Sequence, residues 1–502
     1  MKKIALLFSL LILNPLLAQI QLGADIDGEA AGDYSGRSVS ISSDGTRVAI
    51  GAPQNEGNGS NAGQVRVYEY SSGNWSQLGA DIDGESVNIY SGYSISLSSD
   101  GTRVAIGATQ SSGAGPSFAG HVGIYEYSAG SWSQLGADID GEAASDNSGY
   151  SVSLSSGGDT VAIGAYQNDD NGAESGHVRI YEYSTGSWTQ LGADIDGEAA
   201  YDYSGHSVSL SSDGTRVAIG APENDDNGTQ SGHVRIYEYS AGSWTQLGAD
   251  IDGEATYDYS GYSVSLSSDG TRVAIGAIQA DGTATNTGHV RIYEYSAGSW
   301  IQLGADIDGE AYDDGSGRSV SLSSDGTRVA IGSYDNDDNG TQSGHVRIYE
   351  YSAGSWTQLG ADIDGEAAGD HSGGSVSLSS DGTTVVIGAV QNDGNGSEAG
   401  HVRVYSLSGN TAVVNPTTLE YDLQIYPNPT NSYLYIDVPQ NMISKSYSME
   451  IKNSIGQSIF GVAMNQPLIQ IDFNSLGAVG SYTLSIKDSG GNVVDNRVII
   501  IQ

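Results

Sequence analysis

Carboxylates recur along this sequence at a fixed spacing, and they are the first residues whose types and positions could do chemistry. The phrase QLGADIDGE begins at Gln21 and returns at Gln77, Gln134, Gln190, Gln246, Gln302 and Gln358. Its first copy supplies Asp25, Asp27 and Glu29, and later loops add the pairs Asp169 and Asp170, Asp225 and Asp226, and Asp337 and Asp338. Such acids could bind divalent cations weakly, or dock a basic or glycan ligand. The alternative is that they are solvated turn residues, as runs of charge usually are.

One position of each repeat varies in a way that could carry recognition. The residue after the glycine that opens the first strand is Arg37, Tyr93, Tyr150, His206, Tyr262, Arg318 or Gly374. These side chains could line the mouth of a central channel and bind a ligand there. They could equally be tolerated differences at a half-exposed position.

The sequence shows no catalytic constellation. Cysteine is absent, which removes disulfides, thiolate metal sites and a cysteine nucleophile. Six of the eight histidines recur in register, so we interpret them as structural: His121, His177, His233, His289, His345 and His401. His206 and His371 do not recur, and neither stands beside an evident nucleophile. We therefore expect a protein that is not an enzyme.

The even spacing of the copies, 56 or 57 residues, indicates that each copy is one supersecondary unit. In the copy at 205–254, the segments SVSLSS, RVAIGA, HVRIYEY and WTQLGADI have strand character and are separated by turn residues such as Asp-Gly and Asn-Gly. We name these strands a, b, c and d. Four strands in each of seven copies predict an all-β fold, a seven-bladed β-propeller.

The two ends of the array complement each other. The first copy supplies strand d alone, at 19–26, and the last copy stops after strand c, at 401–407. Pairing these segments would close the ring by a 3+1 arrangement and remove both sheet edges, which an open β-solenoid would not achieve. All six tryptophans begin a strand d, where Gln19 is the N-terminal equivalent, and we expect them to pack between blades.

The stretch from Gly205 to Pro222, GHSVSLSSDGTRVAIGAP, resembles the FG-GAP repeat of integrin α-type propellers. The resemblance covers residues 20–407 and implies a propeller whose loop between strands a and b often carries a calcium site of the DxDxDG kind. Here that loop reads SSDG, as at Ser42 to Gly45, so a single carboxylate remains. Calcium binding is possible, but the calcium sites of the family are not carried over, because calcium takes about six to eight oxygen ligands.

Charge and hydropathy limit the partners and the location. Asp and Glu number 61 against 19 Lys and Arg, a net charge of -42, which argues against a nucleic-acid partner. Lys2 and Lys3 precede an apolar run at 4–17, so residues 1–18 read as a signal peptide cleaved between Ala18 and Gln19. Beyond it, we expect no transmembrane segment, because no stretch approaches about 18 apolar residues.

The C-terminal part has a different composition. The stretch IYPNPTNSYLYI contains Tyr426, Pro427, Asn428 and Pro429 and, with SIGQSIF and SLGAVGSYTLSIKD, closely resembles the type A sorting domain of type IX secretion in Bacteroidetes. The alternating strands predict a small β-sandwich. The resemblance implies passage through the periplasm, recognition by the type IX translocon, and a secreted, extracellular or outer-surface-attached product.

We therefore expect a signal peptide at 1–18, a propeller at 19–407, a linker at 408–420 and a sorting domain at 421–502. The loops between b and c and between d and a share one face of the disc and vary most, so we expect any binding surface there. The leading hypothesis is a secreted or cell-surface binding or adhesion propeller. The alternatives are a structural surface or matrix component without a specific ligand, and a polysaccharide-processing enzyme.

Overall fold

The computed structural model describes residues 19–111, 116–407, 424–426, 433–438, 447–452, 458–472, 480–487 and 493–501. By packing, the chain divides into two units, Met1–Ser408 and Gly409–Gln502. The expected signal peptide at 1–18 and linker at 408–420 lie outside the described residues. Every regular element of the described residues is a β-strand, and no helix among them is long and apolar enough to cross a membrane.

The first unit is a seven-bladed β-propeller, which confirms the predicted fold class. Each blade is one antiparallel sheet in the order a, b, c, d. Strand a lines the central channel, and in blades 1 to 7 it spans Ser38–Ile41, Ser91–Leu97, Ser151–Leu154, Ser207–Leu210, Ser260–Leu266, Ser316–Leu322 and Ser372–Leu378. Strand b spans Arg47–Ala52, Arg103–Ala108, Thr160–Ala165, Arg216–Ala221, Arg272–Ala277, Arg328–Ser333 and Thr384–Ala389.

The two outer strands complete each blade. Strand c spans Gln64–Ser71, His121–Ser128, His177–Ser184, His233–Ser240, His289–Ser296, His345–Ser352 and His401–Ser406. In blades 1 to 6, strand d begins with Asn74–Gln77, Ser131–Gln134, Ser187–Gln190, Ser243–Gln246, Ser299–Gln302 and Ser355–Gln358. It resumes at Ile82–Asp83, Ile139–Asp140, Ile195–Asp196, Ile251–Asp252, Ile307–Asp308 and Ile363–Asp364.

This interruption of strand d differs from the continuous strand that the sequence predicts. Gly248, between the two parts, has a φ of +84°, and a Cβ atom there would lie 2.8 Å from Cδ1 of Trp300 in the next blade. Trp300 also donates its indole N–H to the Leu247 carbonyl at 2.7 Å. The pairing of strand d with strand c is interrupted here because a glycine in the left-handed region lets the neighbouring indole pack against the backbone.

The hydrophobic core lies between blades rather than within any one of them. At the interface of blades 4 and 5 it contains Ala218, Val234, Ile236, Ile251, Val264, Leu266, Val273 and Ile275. Alternation along each strand points one apolar row at each neighbouring blade, and small residues such as Ala218 let the sheets approach closely. Each large side chain buried in this way contributes about 1.5–3 kcal/mol.

The N-terminal segment closes the ring, as the sequence predicts. In blade 7, strand d comes from the start of the propeller, at Ile20–Gln21 and Ile26–Asp27. Ile20 pairs with Ser406 and Ile26 with Val402, antiparallel. Gln19 stands where the other blades carry tryptophan, and its side-chain amide donates to the Leu359 carbonyl at 3.1 Å, as the indoles do. The 3+1 closure is therefore confirmed.

Seven serines tie the blades together at the end of the channel where strands a and b are joined. In each, the backbone N–H donates to the carbonyl of the next at 2.8 to 3.1 Å, around the complete circle of Ser43, Ser99, Ser156, Ser212, Ser268, Ser324 and Ser380. This circle of hydrogen bonds fixes the inner strands at that end of the disc.

The second unit is a small β-sandwich, also as predicted. One sheet contains Gln424–Tyr426, Tyr433–Asp437 and Leu468–Asp472, and the other contains Ser458–Ala463, Ser448–Lys452, Gly480–Lys487 and Val493–Ile501. Its core includes Leu434, Ile451 and Leu484, which are fully buried. Tyr426 ends a strand, and Pro427, Asn428 and Pro429 lie outside the described residues.

Candidate functional site

The loops between b and c and between d and a lie at the same end of the blades, and we call that end the bc/da face. They brace each other by repeated hydrogen bonds. Asn224 of a bc loop donates to the buried Asp202 of the preceding da loop at 3.2 Å, and Asp202 also accepts from the Ala199 backbone N–H at 2.9 Å. Asn227 donates to the Gly253 carbonyl of the following da loop at 2.7 Å. The most variable loops of the repeat are therefore held rigidly.

The structure brings the seven variable residues of strand a together around one cavity. Each follows a glycine with a φ of +85° to +92°, and a Cβ atom at Gly205, for example, would lie 2.6 Å from the His177 carbonyl oxygen. The next side chain is thereby aimed into the channel at the bc/da face. The cavity has a volume of about 240 Å³ and is lined by Arg37, Tyr93, Tyr150, His206, Tyr262, Arg318 and Gly374 with their Ser and Val or Ile neighbours.

Four of these residues form an unbroken arc of rings. The centroids of Tyr93 and Tyr150 are 5.1 Å apart, those of Tyr150 and His206 are 5.0 Å apart, and those of His206 and Tyr262 are 4.6 Å apart. His206 Nδ1 lies 3.2 Å from the Tyr262 carbonyl oxygen, and Nε2 lies 3.2 Å from the Tyr150 hydroxyl. Because a carbonyl only accepts, Nδ1 carries the proton and Nε2 accepts from Tyr150.

An arginine stands at each end of this arc. The Arg37 guanidinium lies 4.3 Å from the centre of the Tyr93 ring. Arg318 lies 4.7 Å from the centre of the Tyr262 ring and donates to the Tyr262 hydroxyl. Gly374 of blade 7 falls between the two arginines in the circle, so the ring of side chains has a gap with a positive charge on either side.

These two arginines differ from every other arginine of the described propeller. The others each form an ion pair with a glutamate: Arg47, Arg66, Arg103, Arg179, Arg216, Arg235, Arg272, Arg291, Arg328, Arg347 and Arg403. Arg37 and Arg318 have no carboxylate within ion-pair distance among the described residues. Asp335 is influenced by the charge of Arg318, but the basic side chain within 4 Å of its carboxylate is His371, whose Nδ1 lies 3.7 Å from Oδ1.

The electrostatics of the channel mouth follow from burial and these two charges. Burial, followed by the charge of Arg318, lowers the pKa of His206 to about 4, so its imidazole is neutral at pH 7. Burial acts to raise the pKa of Tyr93, but the charge and the hydrogen bond of Arg37 act against it, and the pKa is lowered. The mouth therefore keeps its positive charge on the two guanidinium groups.

Two residues of this region, Tyr166 and Tyr334, were not found by sequence reasoning. Tyr166 packs against Tyr150 with centroids 4.2 Å apart. Tyr334 stacks on His371 at 4.0 Å and lies 5.1 Å from the Arg318 guanidinium. Tyr166 and Tyr334 both follow strand b directly, at the position that proline takes in a GAP sequence, and their variation there was the available signal.

The acids of the first DIDGE phrase have mostly internal partners. Asp25 accepts from the Gln21 amide at 2.6 Å. The backbone carbonyl of Asp27, rather than its carboxylate, accepts from Arg66 at 2.8 Å, and Glu29 forms an ion pair with Arg66 at 3.7 Å. Asp27 and Glu29 thus tie the closing strand of blade 7 to strand c of blade 1.

The paired aspartates of the bc loops divide into two roles, and none of them lines the channel mouth. Asp225 accepts from the Gln230 backbone N–H at 2.7 Å, and Asp337 accepts in the same way from Gln342. Their neighbours Asp226 and Asp338 instead approach the histidines that begin strand c of blades 4 and 6.

The ab loops use their single carboxylate within the turn. Asp213 accepts from the Ser211 hydroxyl at 2.7 Å and from the backbone N–H and hydroxyl of Thr215 at 3.0 and 2.8 Å. Burial opposes ionisation, but these hydrogen bonds outweigh it and lower the pKa of Asp213. One oxygen of the carboxylate, Oδ1, is thus held by its own turn.

The comparisons with known proteins agree with this architecture. Residues 25–68, 138–181, 194–237 and 362–405 match the FG-GAP repeat, so the propeller contains four FG-GAP repeats. Residues 424–502 match the secretion system C-terminal sorting domain. The chain thus joins an FG-GAP propeller to a type IX sorting domain, which engages the type IX secretion machinery and directs export to the cell surface or extracellular space.

Solved structures show similarity at the level of fold alone. The periplasmic gluconolactonase of Pseudomonas aeruginosa is 14% identical, with a TM-score of 0.44 over 87% of this chain and 95% of that one. U3-55K is also 14% identical, with a TM-score of 0.45 over 77% of this chain and 98% of that one. A search of curated protein sequences found no match.

Proposed function

We propose that this protein is a secreted binding propeller whose channel mouth binds the anionic group of an acidic saccharide, a sugar that carries a carboxylate or a sulfate. The observation that carries the proposal is the pair of arginines without carboxylate partners on either side of Gly374. The bound anion would lie in the gap at Gly374, between the two arginines.

Charge supports an anionic ligand. In a chain with a net charge of -42, acidic groups are abundant, and every other arginine of the described propeller pairs with one. Two half-buried guanidinium groups that lie over tyrosine rings, and have no carboxylate within ion-pair distance among the described residues, keep donors available to a ligand anion. Guanidinium matches carboxylate and sulfate oxygens well.

The aromatic arc and the cavity size support a saccharide. Tyrosine offers an apolar ring face for a sugar ring and a hydroxyl for its polar edge. The cavity volume of about 240 Å³ is below the roughly 300–1,000 Å³ of sites for drug-sized ligands. We therefore expect the site to bind a single sugar residue or the end of a chain.

The test is calorimetric titration of the full-length protein with a uronate oligosaccharide, a sulfated oligosaccharide and a neutral oligosaccharide. We expect one of the acidic ligands to bind and the neutral one not to. Arg37→Ala and Arg318→Ala should each weaken binding between about 10-fold and 100-fold, because each removes a charged hydrogen bond. Which acidic ligand binds separates the carboxylate from the sulfate.

The matched control is Arg272→Ala, which removes the same charge from an arginine paired with Glu294 at 2.8 Å and outside the channel. It should leave binding unchanged. Gly374→Tyr should abolish binding by filling the gap, whereas Gly374→Ser should weaken it less. The proposal is wrong if neither acidic ligand binds, or if Arg272→Ala weakens binding as much as the channel variants do.

A further inference from the structure

A second cluster of polar groups lies away from the channel, where strand c of blade 3 begins. His177 faces Asp170 of its own bc loop, Asp194 from the interruption of its own strand d and Glu142 of the preceding blade. One ligand atom of each residue lies within 4.8 Å of the ligand atoms of the other three. One imidazole and three carboxylates thus converge on one point.

The imidazole in this cluster has no hydrogen-bond partner. His177 is 0% exposed, and neither Nδ1 nor Nε2 is hydrogen bonded. Its Nδ1 points to the Asp170 carboxylate, but the two atoms are 3.9 Å apart, beyond hydrogen-bond range. A buried imidazole without a partner is costly and uncommon, so the arrangement indicates that something else satisfies it.

The same arrangement occurs in two further blades. In blade 4 the converging residues are Glu198, Asp226, His233 and Asp250. In blade 6 they are Glu310, Asp338, His345 and Asp362. His233 and His345 are also 0% exposed, and both ring nitrogens of each are unpartnered. Among the described residues, His177, His233 and His345 are the histidines whose two ring nitrogens are both buried without a hydrogen-bond partner.

The other blades lack one or more members of the set. Gly282 in blade 5 and Gly394 in blade 7 stand where Asp170 stands in blade 3, and their clusters contain three residues. Blade 1 has Gln64 in place of the histidine. A histidine with neither ring nitrogen hydrogen bonded therefore occurs in the blades whose bc loop supplies an aspartate to the cluster.

We propose that the clusters of blades 3, 4 and 6 each bind a divalent transition-metal ion such as Zn²⁺ through the histidine and the surrounding carboxylates. Imidazole is a typical ligand for zinc, whereas calcium takes oxygen ligands. Tetrahedral ligands about 2.0 Å from zinc stand roughly 3.3 Å apart. The His345 Nδ1 to Asp338 Oδ2 distance of 3.8 Å needs only a small contraction to reach this spacing.

Each ion would join two blades, because the glutamate belongs to the preceding blade. That glutamate is already oriented by an arginine: in blade 4, Glu198 Oε1 lies 3.6 Å from Arg235, and Oε2 lies 3.9 Å from His233 Nδ1. Such outer partners commonly hold metal ligands in place. Metal binding would thus stabilise the interfaces of blades 2 and 3, 3 and 4, and 5 and 6.

The experiment is titration of the metal-free, full-length chain with Zn²⁺, with bound metal counted by elemental analysis after gel filtration. We expect about three equivalents and a rise in Tm. Asp170→Asn, Asp226→Asn and Asp338→Asn should each remove one equivalent, and the triple variant should remove all three. In a parallel titration, Ca²⁺ should not displace the bound Zn²⁺.

Two further variants distinguish a built site from general attraction to an acidic surface. Asp169→Asn removes the same charge from the residue next to Asp170, but Asp169 accepts a hydrogen bond from the Glu174 backbone N–H at 2.7 Å and is not in the cluster. It should leave three equivalents bound. His233→Gln introduces the residue that blade 1 carries naturally at Gln64, so the fold should tolerate it, and one equivalent should be lost.

Retention of zinc by the triple variant would overturn the proposal. Equal loss in Asp169→Asn would also overturn it, because the binding would then be nonspecific. Displacement of zinc by equimolar Ca²⁺ would show that the histidine is not a ligand and would reject the site as described.

Discussion

At the scale of single residues, the same position of the repeat has different surroundings in different blades. Arg37, His206 and Arg318 follow the same kind of glycine, yet Arg37 and Arg318 end the arc of rings while His206 lies inside it. The sequence shows that these positions vary, but it does not show that they touch. The contacts arise because seven equivalent strands meet around one axis, so residues 56 positions apart become neighbours.

The buried imidazole of His206 predicts a dependence of stability on pH. Its pKa is about 4 in the folded protein and about 6.5 when unfolded, so the unfolded state binds more protons between these values. The contribution of the neutral, buried imidazole to the unfolding free energy is complete above pH 6.5 and is lost as the pH falls toward 4. The unfolding free energy is measured in urea at pH 7 and at pH 5. Between these pH values, the wild type should lose about 1–2 kcal/mol more of it than His206→Gln does. Parallel losses in the two proteins would contradict this.

At the scale of the element, the interrupted strand d joins each blade to the next. Its tryptophan is partly buried at the edge of the inter-blade core and donates to a carbonyl of the preceding blade. Trp244, for example, donates to the Leu191 carbonyl at 2.7 Å and lies 5.1 Å from the Tyr239 ring centre. Strand d therefore contributes both packing and a directed hydrogen bond to the interface.

Trp244→Ala should lower the unfolding free energy by about 3 kcal/mol, at the lower end of the range for such truncations because the side chain is only partly buried. Trp244→Phe keeps much of the packing and loses the hydrogen bond, so it should cost about 1 kcal/mol. Chemical unfolding of the two variants checks this. Equal losses would show that the hydrogen bond, rather than the packing, carries the effect.

At the scale of the whole molecule, stability depends on a closure between residues almost 390 positions apart. The N-terminal segment supplies the outer strand of blade 7, and Ile26 enters the core between blades 7 and 1. Strand c of blade 7 is then covered by a strand d, as in the other six blades, and is not left as an open edge. The ring is closed by pairing and packing alone, since cysteine is absent.

That absence allows a clean test of the closure with an engineered disulfide. Ile20 and Ser406 are cross-strand partners, so Ile20→Cys with Ser406→Cys should cross-link on oxidation and raise the unfolding free energy by up to about 5 kcal/mol. The control pair is Ile20→Cys with Glu350→Cys, because Glu350 is the equivalent of Ser406 in blade 6 and pairs with Thr357. Cross-linking is read by mass spectrometry. Efficient cross-linking of the control pair, or none of the first pair, would refute the closure.

The fold could be predicted from the sequence because it is encoded locally and repeated. Alternating residues such as Val208 and Leu210, the turn glycines and the complementary ends of the array each specify strands, turns and closure without knowledge of distant contacts. The interruption of strand d at Gly248 could not be predicted, because its cause is the Trp300 side chain of the next blade.

The candidate sites were predictable only in part. Sequence alone identified the variable residues of strand a and the acidic loops, and it determined the blade count and the sorting domain. Only the tertiary structure placed Tyr166 and Tyr334 beside the channel, left Arg37 and Arg318 without carboxylate partners, and set Glu142 of one blade against His177 of the next. The physical reason is that these relations join different blades, and their distances depend on how the sheets pack rather than on any local pattern.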